Sequence, residues 1–264
     1  MNSMNANTVT VPESELYSCG EQALDKVGVN KEHIKLVLYV LITADLHGIE
    51  THGTGRLIPY IKRIKSGLIN AKPDITVKSS SPAISLIGGD DGLGQVVGMI
   101  GLMEAIKVAK KYGIAFAGCH HSHHFGAGSP YALAACNEGL ILIGGTNAFP
   151  SIAPTGAKNI ILGNNPLFIG VPRQDAPHFI LDIALSAIAR GKIRKSAEQN
   201  KPIPSGIALD TDGKPTIDPV EALKGYVLPI ANHKGYGLAL AIDLIGGVLT
   251  GAGFGTGVLS LFQQ

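Results

Sequence analysis

Residues 83–119, AISLIGGDDGLGQVVGMIGLMEAIKVAKKYGIAFAGC, contain the pattern from which the fold class can be inferred. Both ends are short apolar runs bounded by glycine, which is typical of buried strands. Between them, Met99, Met103 and Ile106 share one helical face, and lysines lie opposite. A strand, a helix and a second strand in succession predict a sheet covered by helices. Three further apolar runs predict more strands: LILIGGTN (140–147), NPLFIGVP (165–172) and HFILDIA (178–184).

The chain before this region has a helical pattern. Apolar residues recur at spacings of three and four, as at Ile34, Leu38 and Leu41, which indicates amphipathic helices. We therefore divide the chain into a helical N-terminal segment, residues 1–80, and an α/β domain, residues 81–264. Within that domain, the polar stretch from 191 to 223 predicts turns, and an apolar helix is expected from His233 onward.

Composition excludes several classes of function. Hydrophobic residues make up 45% of the 264 residues and the net charge is +2 with no basic stripe, so no nucleic-acid partner is expected. Three cysteines without metal-type spacing suit free thiols in a reducing compartment, and the N-terminus lacks a signal-peptide pattern, which together predict a cytoplasmic protein. The uncharged run 244–262 reaches membrane length, but six of its 19 residues are glycine, so we expect no membrane span.

The glycines of GDDGLGQVVG resemble a dinucleotide-binding loop at first sight. Gly92, Gly94 and Gly98 follow the spacing G-x-G-x-x-x-G, one residue longer than the fingerprint, and the acidic residue expected about twenty positions later is missing. We therefore interpret this segment as a turn and a helix start. If the protein uses a nicotinamide cofactor, a fold other than the Rossmann fold must hold it.

Four of the nine histidines fall within five residues: His120, His121, His123 and His124. Two of them at positions i and i+4 could share a metal on a helix, but a strand is predicted before them and glycines follow, which favours a loop. No cysteine or carboxylate follows to complete a coordination set, so no metal site is predicted. Proton transfer is the better interpretation, because the pKa of histidine lies near neutrality.

A second motif, THGTGR, places His52 four residues before Arg56. A guanidinium binds a carboxylate through two parallel hydrogen bonds, and a nearby histidine can exchange a proton with an oxygen on the adjacent carbon. The pair is the minimum equipment for a 2-hydroxy or 2-oxo acid. The alternative is that Arg56 forms a surface ion pair with Glu50.

Seven ordered segments resemble the malate/L-lactate dehydrogenase-like oxidoreductases, a family unrelated to the Rossmann-type lactate and malate dehydrogenases. The segments are ADLHGIETHGTGRL (44–57), SHHFGAGSPYALAACNEGLI (122–141), TNAFPSIAPTGA (146–157), GNNPLFIGVP (163–172), DIALSAIARGKI (182–193), DGKPTIDPVEAL (212–223) and HKGYGLALAIDLIGGVLTGA (233–252). The family also includes ureidoglycolate, sulfolactate and diketogulonate enzymes. The resemblance implies an α/β fold with a non-Rossmann, mixed-sheet cofactor domain that binds NAD or NADP, and a homodimer.

The resemblance also assigns roles to residues of this chain. His52 is expected to exchange the substrate proton, with His124 as its alternative or partner, and Arg56 to bind the substrate carboxylate. Substrate contacts are further implied for Thr51 and, through a looser match, Asn147. Cofactor contacts are implied for the residues His124, Asp182, Ile183, Ala184, His233 and Lys234.

The chain departs from the family pattern at several positions. His121 stands where asparagine is frequent, Leu185 where threonine is common, and Ala231 with Asn232 where two glycines are frequent. Relatives also continue beyond the position of Gln264 with elements that return to the N-terminal part, so we expect weakened cofactor binding by this chain. The sequence predicts an NAD(P)-dependent oxidoreductase that interconverts a small, malate- or lactate-like 2-hydroxy acid and its 2-oxo acid. The alternatives are a catalytically impaired, shortened relative that acts as a binding or interaction protein, and a metal-dependent hydrolase.

Overall fold

The computed structural model describes residues 9–175 and 177–261. Within these ranges, helices form the N-terminal part and short sheets covered by helices form the remainder. The helices are α1 (Glu13–Asp25), α2 (Lys31–Leu46), α3 (Leu57–Lys65), α4 (Gly94–Tyr112), α5 (Ser129–Asn137), α6 (Arg190–Glu198), α7 (Pro219–Lys224) and α8 (His233–Asp243). The strands are β1 (Thr76–Ser81), β2 (Ile84–Gly92), β3 (Phe116–Ser122), β4 (Leu142–Gly145), β5 (Leu167–Val171), β6 (Phe179–Ile183), β7 (Ala208–Leu209) and β8 (Tyr226–Val227).

Helix α4 connects two parallel strands, as the pattern of residues 83–119 predicts. β2 and β3 pair in parallel, with Ile84 opposite Phe116 and Ile87 opposite Cys119. α4 ends at Tyr112. The next residue, Gly113, has a φ of 85°, which is accessible to glycine at little cost, and its N–H donates to the Ala109 carbonyl. The strand–helix–strand unit is therefore confirmed.

Strand β1 was not expected, because it lies in the segment that the sequence pattern assigned to helices. It adds an antiparallel edge to β2, and gives the sheet the order β1-β2-β3. Its sequence TVKSSS contains one apolar residue, Val77, and nearly all of its residues are exposed. An exposed edge strand of this composition has no alternation from which it could be inferred.

The second sheet, β4-β5-β6, is antiparallel and packs one face on α5. A side chain at Gly128, just before α5, or at Gly144, on β4, would overlap the Phe168 ring. These two glycines therefore allow the start of α5 and strand β4 to pack against Phe168. β7 and β8 form a third, two-stranded sheet. Small mixed and antiparallel sheets behind a helical N-terminal segment confirm the predicted α/β class outside the Rossmann arrangement.

Helices α6 and α7 occupy the polar stretch for which we predicted turns. The α6 sequence RGKIRKSAE offers one buried apolar side chain, Ile193, so its helical period was too weak to detect. The α7 start is a local signal that can be recognised afterwards: the Asp218 carboxylate accepts hydrogen bonds from the backbone N–H groups of Val220 and Glu221, and Pro219 occupies the first turn.

The glycine-rich segment before α4 serves packing. The predicted helix start is confirmed at Gly94, but the residues expected to form a turn belong to the irregular end of β2, which runs to Gly92. Asp90 and Asp91 have φ of 47° and 52°, and the Asp90 carboxylate accepts hydrogen bonds from Asn70 and from the backbone of Asp74. A Cβ at Gly94 would overlap the carbonyls of the histidine loop after β3. This glycine therefore allows the first turn of α4 to lie directly beneath that loop.

The apolar C-terminal helix begins at His233, as predicted. It ends at Asp243 and passes into a single π-helical turn, Leu244–Val248, before the glycine-rich loop. Among residues 9–175 and 177–261, no helix has both the length and the apolar character needed to cross a membrane.

Candidate active site

The THGTGR motif forms two short 3₁₀ turns, Glu50–His52 and Thr54–Arg56, between α2 and α3. The Asp45 carboxylate, at the end of α2, accepts hydrogen bonds from the Thr54 backbone N–H at 2.8 Å and from its hydroxyl at 2.7 Å. A Cβ at Gly53 would overlap this carboxylate. The glycine is therefore required where the motif crosses α2, and Asp45 attaches the motif to the core helix.

Thr51 and Arg56 are held against each other within this motif. The Arg56 Nε donates a hydrogen bond to the Thr51 carbonyl, and the Thr51 hydroxyl lies 3.0 Å from His52 Nδ1. Arg56 directly precedes α3 and remains partly exposed. The predicted substrate residues Thr51 and Arg56 thus share one small loop with His52.

His124 reaches this loop from the other side of the fold. It follows β3, and its ring stacks on the His52 ring with centroids 5.5 Å apart and planes inclined by 21°. Tyr60, fully buried on α3, places its hydroxyl 2.7 Å from His124 Nδ1. The structure therefore brings together the two histidines and the arginine that sequence analysis selected from distant parts of the chain.

The two imidazoles have different electrostatic surroundings. Burial, and then the charges of His52 and Arg56, lower the pKa of His124 to about 3. Burial and Arg56 also lower the pKa of His52, but the Asp182 carboxylate opposes this shift. His52 is therefore the member of the pair whose protonated form has a neighbouring anion to stabilise it.

Asp182 lies on β6 and faces the start of α5. One of its carboxylate oxygens accepts hydrogen bonds from the backbone N–H groups of Gly128 at 2.9 Å and Ser129 at 2.8 Å. These donors belong to a helix N-terminus, where a negative charge is favourable. The carboxylate is thereby held in place close enough to His52 to influence its charge.

The other predicted cofactor residues follow Asp182 toward α8. After Ile183 and Ala184, the Leu185 carbonyl accepts a hydrogen bond from the Ile230 N–H at 2.9 Å, which joins this strand end to the segment before α8. His233 and Lys234 are exposed in the first turn of α8. A helix N-terminus with two basic side chains suits the pyrophosphate of a dinucleotide, so the residues present fit this cofactor.

Asn147 has a structural partner. Its side-chain amide donates a hydrogen bond to the Gly253 carbonyl and so connects the loop after β4 to the C-terminal loop. Its predicted contact with substrate remains a prediction, because the structure shows the amide engaged in holding these two loops together.

The remaining histidines of the quartet lie apart from His52. His120 and His121 are on β3, where their Nδ1 atoms are 2.6 Å apart, and His123 lies near Arg63 and Asp91. Among the described residues, no group of three or more His, Cys, Asp or Glu side chains could hold a metal ion.

Tyr60 and Asp45 were not predicted from the sequence as parts of this site, nor was Gln95, which is fully buried on α4 near Tyr60. Tyr60 stands four residues after Arg56, one helical turn along, and this spacing was an available signal. Asp45 and Gln95 carried no signal of their own, because their roles depend on contacts between distant segments.

Comparison with known proteins identifies the family. The sequence model of the family described as malate/L-lactate dehydrogenase matches residues 11–264. L-sulfolactate dehydrogenase of Methanocaldococcus jannaschii is 45% identical over 235 residues, which cover 89% of this chain and 68% of that protein. The solved structure of the sulfolactate dehydrogenase from that species superposes with a TM-score of 0.91 at 42% identity, and the match covers 96% of this chain and 73% of that one.

Two further relatives carry a cofactor in their names. Ureidoglycolate dehydrogenase (NAD(+)) of Escherichia coli O157:H7 is 35% identical, with 96% of this chain and 72% of that protein covered. (2R)-3-sulfolactate dehydrogenase (NADP(+)) of Chromohalobacter salexigens is also 35% identical, with coverage of 91% and 72%. The family match over nearly the whole chain agrees with the sequence resemblance and with the convergence of the His and Arg motifs. The chain belongs to the malate/L-lactate dehydrogenase family and is an enzyme of the 2-hydroxy-acid dehydrogenase class.

Proposed function

We propose that the chain interconverts a small 2-hydroxy acid and its 2-oxo acid with NAD or NADP as the hydride carrier. The convergence of His52, His124 and Arg56 carries this proposal, because it combines an anion-binding guanidinium with two imidazoles within one site. Residues 1–80 supply the substrate motif, and residues 81–264 supply the cofactor contacts.

Arg56 binds the substrate carboxylate and turns C2 toward the nicotinamide. Thr51 supports this geometry, since it contacts both Arg56 and His52. Asn147 is the further substrate contact that we propose, through the part of its amide not engaged with Gly253. Such positioning supplies a large share of the rate enhancement of a reaction between two bound molecules.

In the oxidation direction, the hydroxyl proton passes to His52 while the C2–H bond breaks and the C2–O double bond forms. A bound nicotinamide would supply the acceptor for the hydride that leaves C2. Asp182 stabilises the imidazolium that results, because its carboxylate is fixed near His52. In the reverse direction, the protonated His52 returns the proton to the carbonyl oxygen.

The cofactor is proposed to lie along the end of β6 and the start of α8. His124, Asp182, Ile183 and Ala184 would hold the nicotinamide end, and His233 and Lys234 would hold the phosphates. Because related enzymes use either NAD or NADP, both cofactors belong to the proposal.

The reaction is tested by following the absorbance of reduced nicotinamide with a substrate panel and both cofactors. The panel contains pyruvate, oxaloacetate, sulfopyruvate and the oxidised form of ureidoglycolate. Turnover of at least one acid supports the proposal. Absence of turnover with every pair, in a preparation shown to be folded, would contradict it.

Two further properties complete the proposal. A homodimer is proposed on the family resemblance, and light scattering during size-exclusion chromatography tests it against a monomer. A cytoplasmic location is proposed because Cys19, Cys119 and Cys136 form no disulfide. Fractionation of cells that express the protein tests the location.

A further inference from the structure

His52 and His124 both face the proposed substrate site, and the Tyr60 hydroxyl contacts a ring nitrogen of His124. Two stacked histidines face the same site, yet one proton leaves the substrate hydroxyl in each turnover. The two imidazoles therefore need different tasks. The following inference rests on the proposed function and concerns how the fold divides these tasks.

An imidazole has two ring nitrogens, and Tyr60 engages one nitrogen of His124. The Tyr60 hydroxyl lies 2.7 Å from Nδ1, which leaves Nε2 as the nitrogen available to a bound molecule. A neutral imidazole carries its proton on either Nδ1 or Nε2, so the direction of the Tyr60 hydrogen bond determines what Nε2 can do.

The direction of this bond follows from the chemistry of the two groups. A phenol O–H is a stronger donor than a neutral imidazole N–H, and an imidazole nitrogen is a stronger acceptor than a phenol oxygen. Tyr60 therefore donates to Nδ1, and the proton of His124 resides on Nε2. The hydroxyl is fully buried, so no bulk water competes for this contact.

Gln95 also favours a hydrogen bond in which Tyr60 is the donor and His124 the acceptor. Its side chain is fully buried in the first turn of α4, close to Tyr60, and acts to lower the pKa of Tyr60. Neither polar atom of its amide has a hydrogen-bond partner among the described residues. The Gln95 N–H is therefore available to the phenol oxygen, which leaves the Tyr60 proton directed toward His124.

We propose that Tyr60, backed by Gln95, is a positioning residue that holds His124 as the Nε2–H tautomer, so that His124 donates a hydrogen bond to the C2 oxygen while His52 alone exchanges the proton. The low pKa of His124, about 3, agrees with a permanently neutral donor. The groups that face His124 are His52 and Arg56 from the 3₁₀ turns and Tyr60 from α3, and the two basic ones disfavour a second positive charge there.

A hydrogen-bond donor aimed at the reacting oxygen contributes in proportion to the charge that develops on it. Removing one such donor typically costs about 10²–10³ in kcat. Tyr60 acts only through His124, and a His124 freed to change tautomer still spends part of its time as the Nε2–H form. We therefore expect Tyr60→Phe to lower kcat by about 10-fold, with little change in the KM of the substrate.

The decisive measurement is the ¹⁵N spectrum of the histidine side chains in the full chain, which needs neither substrate nor turnover. His124 is assigned by its loss in His124→Gln. We expect a protonated Nε2 and an unprotonated Nδ1 in the parent protein, and a mixture of both tautomers in Tyr60→Phe. Gln95→Met provides a second variant that retains the Tyr60 hydroxyl, and it should shift the tautomer ratio in the same direction by a smaller amount.

Tyr131→Phe is the matched control. The Tyr131 hydroxyl is buried and donates a hydrogen bond of the same length, 2.7 Å, to the Phe125 carbonyl in the neighbouring loop. This variant should lose similar stability and keep the Nε2–H tautomer. A parent protein with its proton on Nδ1, or an unchanged tautomer in both Tyr60→Phe and Gln95→Met, would overturn the inference. If the tautomer responds as expected but no acid in the panel is turned over, the proposed function fails and the positioning role stands.

Discussion

His52 is the side chain on which proton transfer depends in the proposed reaction. We expect His52→Ala to lower kcat by about 10²–10⁴, the usual contribution of a well-placed acid–base group. Cofactor affinity should change less than kcat, because His52 itself makes none of the proposed cofactor contacts. Steady-state kinetics measures the rate, and NADH fluorescence measures the affinity. His121→Ala, an exposed histidine of the same quartet, is the control and should keep the parent rate. An unchanged rate in His52→Ala would remove this residue from the mechanism.

In the proposed reaction, Asp182 affects the pH at which His52 can exchange the proton. Oxidation requires the neutral imidazole, so kcat/KM should rise with pH through the His52 pKa. Burial and Arg56 hold this pKa below its ordinary value, and Asp182 partly opposes them. Asp182→Asn should therefore move the inflection to lower pH, and it should weaken the reduction reaction at neutral pH because that reaction needs protonated His52.

The pH profile of kcat/KM in both directions measures this effect. The asparagine side-chain oxygen can still accept the hydrogen bonds of Gly128 and Ser129, so the start of α5 should remain in place. Asp212→Asn, in an exposed turn, serves as the control with no expected shift. A shift to higher pH in Asp182→Asn would show that the sign of the electrostatic argument is wrong.

The two 3₁₀ turns between α2 and α3 depend on one close approach of the backbone to Asp45. Gly53→Ala should destabilise the fold by about 1–3 kcal/mol, because the added Cβ must displace a carboxylate that accepts two hydrogen bonds. Gly55→Ala, two residues later, is a matched control with open space around its Cβ. Thermal unfolding and the substrate KM should both change in the first variant and stay near parent values in the second. Equal stability of the two variants would contradict this role of Asp45.

The start of α8 contains a strained backbone at a departure from the family pattern. Ala231 and Asn232 adopt φ of 49° and 55°, in the left-handed region, which costs a residue with a Cβ about 1–2 kcal/mol. Ala231→Gly should therefore raise the stability by up to about 1 kcal/mol after the greater chain entropy of glycine is included. Ala239→Gly, buried within α8, should lower it. Chemical denaturation measures both, and a destabilised Ala231→Gly would mean that the left-handed backbone carries no strain.

The elements differ in how far they can be predicted from their own residues. β2, α4 and β3 were predictable because their apolar periods are strong and glycine marks their ends. β1 and α6 were missed because their stability comes from neighbours: β1 contributes one exposed apolar side chain, Val77, and α6 buries one, Ile193. Such elements are determined by the sheet edge or the core on which they lie.

The candidate site was predictable to a similar degree. His52 and Arg56 share a local motif whose chemistry can be inferred directly, whereas selecting His124 from four histidines required the family resemblance. Tyr60 contacts His124 from α3, and Gln95 lies near Tyr60 on α4, so no local spacing links either residue to His124. The proposed catalytic groups could thus be selected from the sequence, whereas the buried groups beside them were visible only in the folded chain.

Cofactor binding should stabilise the whole molecule, because the proposed contacts join β6 to α8 across the C-terminal part of the core. A ligand at ten times its Kd adds about 1.4 kcal/mol to the free energy of unfolding. For a chain of this size that corresponds to a rise in Tm of about 3–5 °C. We expect such a rise with NADH or NADPH at saturating concentration.

Lys234→Ala should reduce this rise in Tm by removing a phosphate partner, whereas Lys224→Ala, at an exposed position on α7, should not. An equal rise in Tm in both variants would show that the phosphates do not bind at the start of α8. The cofactor that gives the larger rise in Tm is the one that the enzyme prefers.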